Sequence, residues 1–259
     1  MRLLLIRHGE PDSNYAADRL TEKGKKEAAL LADRMKQEKV DQFYVSPLRR
    51  ARQTAAPTLA VRDEDAIVLD WLKEFSAVLD VNESAFLQKA YPNTKRNEDG
   101  SFEGRIVWDM MPSAWKDDPR YYDLDRWMET EVAAASDLGR VYDQTCEGLD
   151  RLLAQWGYHR SGNLYRTEQG TNATIALFCH FGMTCAILSH LWNVSPFVLW
   201  HHLVTAPSSV TELYSEEREK GSVVFRATAI SDTSHLYIAR EKPSFAARFC
   251  SVFENDERH

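Results

Sequence analysis

The sequence predicts an α/β fold: a three-layer α/β/α sandwich with a mostly parallel central sheet and a helical, aromatic-rich insertion as a lid. Three observations carry this expectation. Short apolar runs alternate with helix-period stripes over the amino-terminal part of the chain, the pattern of strands joined by crossover helices. A further strand-then-helix pattern resumes at TIALFCHFG, residues 174–182, and two strand-like segments near the carboxyl end flank the turn-like EREKG, which reads as an antiparallel hairpin.

The elements follow in order. Residues 2–6 are short, continuously apolar and soon followed by Gly9, so they read as a buried parallel strand. Thr21 stands where a helix cap is needed, and Ala28, Leu31, Ala32 and Met35 form one stripe of a helix expected to reach about Lys39. Residues 43–45 read as a second strand, 48 to about 59 as a second helix and 67–69 as a third strand. The pattern lapses near Leu79 and returns with a strand over 174–179, a helix over 184–192, and hairpin strands over 210–214 and 223–230. No internal repeat is evident.

Residues 80–136 differ in character. They hold Trp108, Met110, Met111, Trp115, Tyr121, Tyr122 and Trp127, are broken by Asp117-Asp118-Pro119, and contain more acids than bases. They are expected to form the insertion. Their rings suit a small satellite core at least as well as a ligand box. A scaffold helix is expected over 137–156, with Leu138, Val141, Thr145, Leu149, Leu152 and Trp156 on one face.

Size and charge exclude several functions. A chain of 259 residues allows one large domain or two small ones. The formal net charge of −7 argues against sequence-independent nucleic-acid binding, which needs a basic face. Cys146, Cys179, Cys185 and Cys250 are far apart and form no CxxC pair, so reduced thiols are expected, without zinc and in a cytoplasmic setting. The apolar run at 3–6 is too short for a secretory signal, and no run approaches the roughly 20 residues that cross a bilayer.

The chemistry gathers where open α/β sheets hold ligands, beyond the carboxyl ends of strands. Arg7 and His8 follow the first strand, SPLRRARQTA (46–55) the second, Glu74 the third, and His180 the strand over 174–179. Guanidinium groups make bidentate, permanently charged hydrogen bonds to phosphoryl oxygens. Among those cations His8 is expected to stay neutral, keeping a lone pair for attack on phosphorus. Its other ring nitrogen needs an acceptor, for which a backbone carbonyl near Gly9 is the candidate. An alkoxide leaves poorly unless protonated, and Glu74 is the carboxyl group at a matching strand end. A neighbouring phosphate dianion would keep that carboxyl protonated until transfer. The reaction so drawn needs no metal and no cofactor.

Several motifs occur together in order: RHGE at 7–10 with Asn14, LTEKG at 20–24, SPLRRARQTA, LKE at 72–74, CHFG at 179–182 and DTSHL at 232–236. On these the chain resembles the histidine phosphatase superfamily (phosphoglycerate mutase-like) across residues 1–79 and 171–240. The resemblance implies one domain over residues 1–259 with the insertion at about 80–136. It also implies a phosphate pocket of Arg7, His8, Arg50 and His180, with His8 as nucleophile and Glu74 as proton donor. Arg50, immediately before Ala51, matches the family's phosphate ligand, and Asn14 matches a secondary phosphate contact. Gly9 is expected to permit close backbone approach, and Glu10 either to touch a substrate hydroxyl or to be solvated. Phe181 stands between His180 and Gly182, where most relatives have glycine directly, and joins Asn14, Gly9 and Glu10 on the substrate side.

The implied function is metal-independent hydrolysis of a small phosphomonoester through a phosphohistidine. The alternatives are mutase-type phosphoryl transfer and a catalytically weak phosphate-binding regulatory module. Mutases of the family grip a doubly phosphorylated ligand with an arginine- and proline-rich segment, whereas DDPRYYDLDRW here is acidic and aromatic, which favours hydrolysis. The expected partner is a small phosphorylated substrate, with neither nucleic acid nor membrane. His201-His202 have no evident third metal ligand, and His235 reads as a structural residue.

Overall fold

A computed structural model describes residues 1–13, 17–246 and 251–254. Two compact units emerge: the first holds Met1–Glu74, Arg166–Thr184 and Val204–His259, the second Phe75–Tyr165 and Cys185–Leu203. No helix of the described residues is long and apolar enough to cross a membrane.

The first unit is built on a mixed sheet. Six of the sheet's eight strands are β1 (Arg2–Arg7), β2 (Gln42–Val45), β3 (Ala66–Val68), β4 (Thr174–Cys179), β5 (Val210–Glu219) and β6 (Ser222–Asp232), neighbours in the spatial order β3-β2-β4-β1-β5-β6. Strands β3, β2, β4 and β1 run parallel, while β5 lies antiparallel to β1 and β6 antiparallel to β5. Leu3, Leu4, Leu5 and Ile6 are each at most 1% exposed. Because successive strand residues face opposite sides, both faces of β1 are covered.

One face is readable residue by residue. Leu4 and Ile6 of β1, Phe43 and Val45 of β2, and Ala176 and Phe178 of β4 pack with Leu31 and Met35 of helix α1 (Glu22–Met35) and with Ala51 and Ala55 of helix α2 (Arg49–Arg62). Each fully buried large apolar side chain in such a cluster contributes about 1.5–3 kcal/mol. Thr21 caps α1 as expected, its Oγ1 accepting the Gly24 N–H at 3.0 Å. The helix ends at Met35, short of Lys39, because the next places on its stripe are Glu38 and Lys39, which bring nothing apolar to bury. Helix α2 instead runs past Pro57 to Arg62, whose Nη1 donates to the carbonyls of Met35 at 2.9 Å and Glu38 at 2.7 Å. That contact fastens the end of α2 to the chain leaving α1.

The register of β1 on β4 places the site. Pairing runs from Arg2 opposite Thr174 to Arg7 opposite Cys179, and His8 N–H donates to the Cys179 carbonyl at 3.0 Å. His8 and His180 therefore leave the sheet side by side. On the other side of β4, Val45 pairs with Phe178, and the Ser46 N–H extends that ladder to the Phe178 carbonyl at 2.9 Å. Helix α3 (Phe181–Trp192) starts directly after His180, three residues earlier than the expected 184.

The second unit contains residues 80–136, read from the sequence as an insertion, and the long helix that follows them. This part of the unit has only short elements, including a two-residue antiparallel pairing of Val78–Leu79 with Arg105–Ile106 and helical turns at Ala85–Ala90, Pro112–Trp115 and Glu131–Ala134. The long helix spans Leu138–Gln155, burying Leu138, Thr145, Leu149 and Leu152. Tyr121 and Phe197 meet at 4.9 Å, Trp127 and Tyr142 at 5.0 Å, and Phe197 and Trp200 at 5.3 Å. Tyr121, Trp127, Phe197 and Trp200 are at most 4% exposed, so these rings form the unit's own core.

Candidate functional site

Five side chains from separated segments of the first unit meet at the strand ends. His8 is 3% exposed and its Nδ1 lies 2.7 Å from its own neighbour's carbonyl, that of Gly9. A carbonyl can only accept, so Nδ1 carries the proton and Nε2 holds the lone pair. Arg50 Nε donates to that Nε2 at 3.2 Å. The His180 ring centre is 5.1 Å from that of His8, tilted by 58°. His180 is fully buried, its Nε2 lies 2.7 Å from Ser46 Oγ, and its Nδ1 has no hydrogen-bond partner among the described residues.

Arg7 is 4% exposed. Its Nη1 donates to the Thr205 carbonyl and, at 3.4 Å, to the Ala246 carbonyl. Phe181 is buried with its ring centre 5.8 Å from the Arg7 guanidinium carbon, a cation–π contact. Glu74 follows β3 after a 3₁₀ turn at Asp70–Leu72, and its Oε1 accepts the Met183 N–H at 3.1 Å in the first turn of α3. Glu10 accepts the Thr21 hydroxyl on its carboxylate at 2.6 Å. Asn14 lies outside the described residues.

Electrostatics favour a neutral imidazole pair under positive charge. Burial, then the charges of Arg7 and Arg50, hold His8 well below the usual histidine range, although its Gly9 contact works the other way. Burial, then His8, Arg50 and Arg7, do the same to His180. The expected neutrality of His8 thus has desolvation as its largest cause, with the cations second. His8, Glu74 and His180 also offer ligand atoms within 4.8 Å of one another, a spacing that could hold a metal ion. Two guanidinium groups beside the same imidazole oppose a cation and attract an anion.

Residues not singled out in the sequence hold this arrangement. Thr54 Oγ1 accepts the Gly9 N–H at 2.9 Å and donates to the Arg50 carbonyl at 2.8 Å, joining the loop after β1 to α2. Asp18 Oδ1 accepts from Arg50 Nη1 and Oδ2 from the Arg49 N–H, both at 2.6 Å. Glu27, fully buried, accepts the Glu10 N–H at 2.7 Å and both the N–H and hydroxyl of Ser244 at 3.2 and 2.9 Å. The backbone that Gly9 approaches is that of Gly24: a Cβ on Gly9 would lie 2.5 Å from the Gly24 oxygen, and one on Gly24 2.3 Å from the Glu10 oxygen. Ser46 and Thr54 lie inside SPLRRARQTA, so the motif contained them. Asp18 and Glu27 gave no signal beyond being acids near it.

Comparison with known proteins points the same way. Residues 3–104 match the family described as the histidine phosphatase superfamily (branch 1). A probable phosphatase of Schizosaccharomyces pombe is 24% identical over 253 residues, covering 91% of this chain and 95% of its own. A phosphoserine phosphatase mutant from Entamoeba histolytica, solved with phosphoserine, superposes with a TM-score of 0.57 at 19% identity, covering 91% of this chain and 98% of that one. The native mycobacterial glucosyl-3-phosphoglycerate phosphatase gives 0.56 at 18% identity, with 90% and 99% covered. The family match thus covers the amino-terminal part of the chain, and the solved structures share its α/β fold across nine-tenths of its length.

Proposed function

We propose that this chain hydrolyses small phosphomonoesters through a phosphohistidine formed on Nε2 of His8. The supporting observation is the tautomer: with Nδ1–H committed to the Gly9 carbonyl at 2.7 Å, the Nε2 lone pair is fixed beside Arg50. Substrate binding draws the Arg50 guanidinium from that lone pair onto phosphoryl oxygens, where Arg7 and the Nδ1 side of His180 join it. Nε2 then bonds to phosphorus while the ester P–O bond breaks. The Glu74 carboxyl gives its proton to the departing alkoxide. In the second half the Glu74 carboxylate takes a proton from water, the water oxygen bonds to phosphorus, and the N–P bond returns its electron pair to His8.

The Entamoeba histolytica phosphatase was solved with phosphoserine and the mycobacterial one is named for glucosyl-3-phosphoglycerate, and we assign this chain a small phosphorylated substrate of that class. Hydrolysis is preferred to mutase transfer because DDPRYYDLDRW offers few cations for a second phosphate. A panel of phosphomonoesters with and without bisphosphoglycerate, quenched rapidly in alkali and analysed by peptide mass spectrometry, tests the reading. The expected result is an acid-labile adduct on the His8 peptide, turnover that survives a chelator, and loss of both adduct and turnover in His8→Ala. An adduct on another side chain, or activity restored to a chelated enzyme only by added metal, would sink it.

A further inference from the structure

The turn before β5 holds the other side of the nucleophile. Thr205 and Ser209 carbonyls accept from the side chain and backbone of Arg7, and the Ser208 N–H donates to the His8 carbonyl at 3.1 Å. Ser208 is fully buried and has φ +60°. A non-glycine residue in that left-handed region costs on the order of 1 kcal/mol or more and persists only when its surroundings hold it. Its hydroxyl is held by His235, whose Nε2 lies 3.0 Å from Ser208 Oγ.

His235 stands in the short helix α4 (Ser234–Ile238), inside the DTSHL motif, and is 5% exposed. Arg34 and Asp232 are the charged groups acting on it, and burial followed by Arg34 brings it down to about 4. It is therefore neutral at neutral pH. Its Nδ1 has no hydrogen-bond partner among the described residues. A bare lone pair is cheaper to bury than an unmet N–H, so the proton sits on Nε2 and is donated to Ser208 Oγ.

The His8–Gly9 peptide plane is thus clamped at both ends: its carbonyl by the Ser208 N–H, its N–H by Thr54 Oγ1 at 2.9 Å. The orientation of that plane sets the backbone from which the His8 ring projects. We propose that His235 is a positioning residue for His8, acting through Ser208 by holding it in the left-handed conformation that turns its N–H onto the His8 carbonyl. This rests on His8 being the nucleophile.

The mechanism has a signature that packing alone lacks. Glycine adopts φ +60° without an anchor, so Ser208→Gly should compensate for loss of the histidine. With p-nitrophenyl phosphate, His235→Ala is expected to lower kcat by about 10- to 100-fold at nearly constant KM, the scale of a small misplacement of reacting groups. Adding Ser208→Gly to His235→Ala should recover at least about fivefold, and His235→Gln, whose amide N–H reaches where Nε2–H does, should retain most of the activity. If His235→Ala does not fold, Ser208→Ala carries the test with the same expected loss. Wild-type kcat in His235→Ala or Ser208→Ala, or a double variant no better than His235→Ala, overturns the proposal. A fully active His8→Ala would instead overturn the nucleophile on which it rests, so the two failures are separable.

Discussion

Asp18 occupies one side of the guanidinium that the proposed reaction needs for phosphate. Its carboxylate meets Arg50 Nη1 at 2.6 Å, with the two side chains 26% and 13% exposed, so the pair is only partly screened. A charge so close to the pocket competes with an incoming anion by electrostatic energy of about 1 kcal/mol or more. Asp18→Asn should therefore tighten competitive inhibition by inorganic phosphate several-fold to about tenfold. Weaker inhibition would show instead that Asp18 orients Arg50. Glu74 is tested by leaving group. Glu74→Gln retains an oxygen for the Met183 N–H, so geometry should survive while proton donation is lost. Turnover of an alkyl phosphate is expected to fall by about 10²- to 10⁴-fold, and that of p-nitrophenyl phosphate much less, because nitrophenolate departs without a proton. Equal losses on both substrates would remove Glu74 from the role of acid. The site's first residues were legible because each follows an apolar strand in the sequence. Ser46 and Thr54 were not, since their partners His180 and Gly9 lie 134 and 45 residues away and only the strand register brings them together.

At the scale of elements, the loop that carries His8 rests on the first turn of α1 with no side chain between. Gly24→Ala would place a methyl 2.3 Å from the Glu10 oxygen and 2.8 Å from its nitrogen, both backbone atoms that cannot rotate aside. The loop must move, and His8 with it. We expect kcat to fall by at least about tenfold with a lowered melting temperature, whereas Lys25→Ala, on an exposed side chain of the same turn, should change neither appreciably. Unchanged kcat in Gly24→Ala would mean the loop has slack that its contacts do not suggest. The helix itself was readable from Thr21 and the Ala28–Met35 stripe, but the reason for its glycine was not, because a close approach leaves no periodic trace. Strand β5 was recognised but cut short, whereas β6 lacked only Ser222, Ser231 and Asp232. The missed end of β5, SEERE, lacks a continuous apolar pattern, so pairing across the hairpin with the start of β6 rather than burial extends it. The insertion was visible as a change in composition, but its elements are too short for any periodicity to build up.

For the molecule as a whole, buried neutral histidines set a limit in acid. Among the described residues His8 and His180 are held well below the ordinary value, and His201 and His235 at about 4, with burial the first cause in each. A histidine depressed in the folded state stays neutral there while the unfolded chain takes up a proton near pH 6.5. Its contribution is therefore present above that pH and is lost as pH falls toward the folded value. Glu27 works in the opposite sense, since burial raises it and the folded state gains a proton more readily than the unfolded one. It acts against the histidines. Between pH 6.5 and 5.5 each such histidine gives up about 1 kcal/mol, so stability is expected to fall over this interval by a sizeable share of that of an ordinary domain. Urea unfolding at pH 7.5, 6.5 and 5.5 measures it. His201→Gln, away from the proposed chemistry, should flatten the slope by about one proton. Stability independent of pH across this interval would mean that these rings are hydrated or already charged in the folded protein, and the neutral His8 that the phosphoryl transfer requires would lose its physical basis.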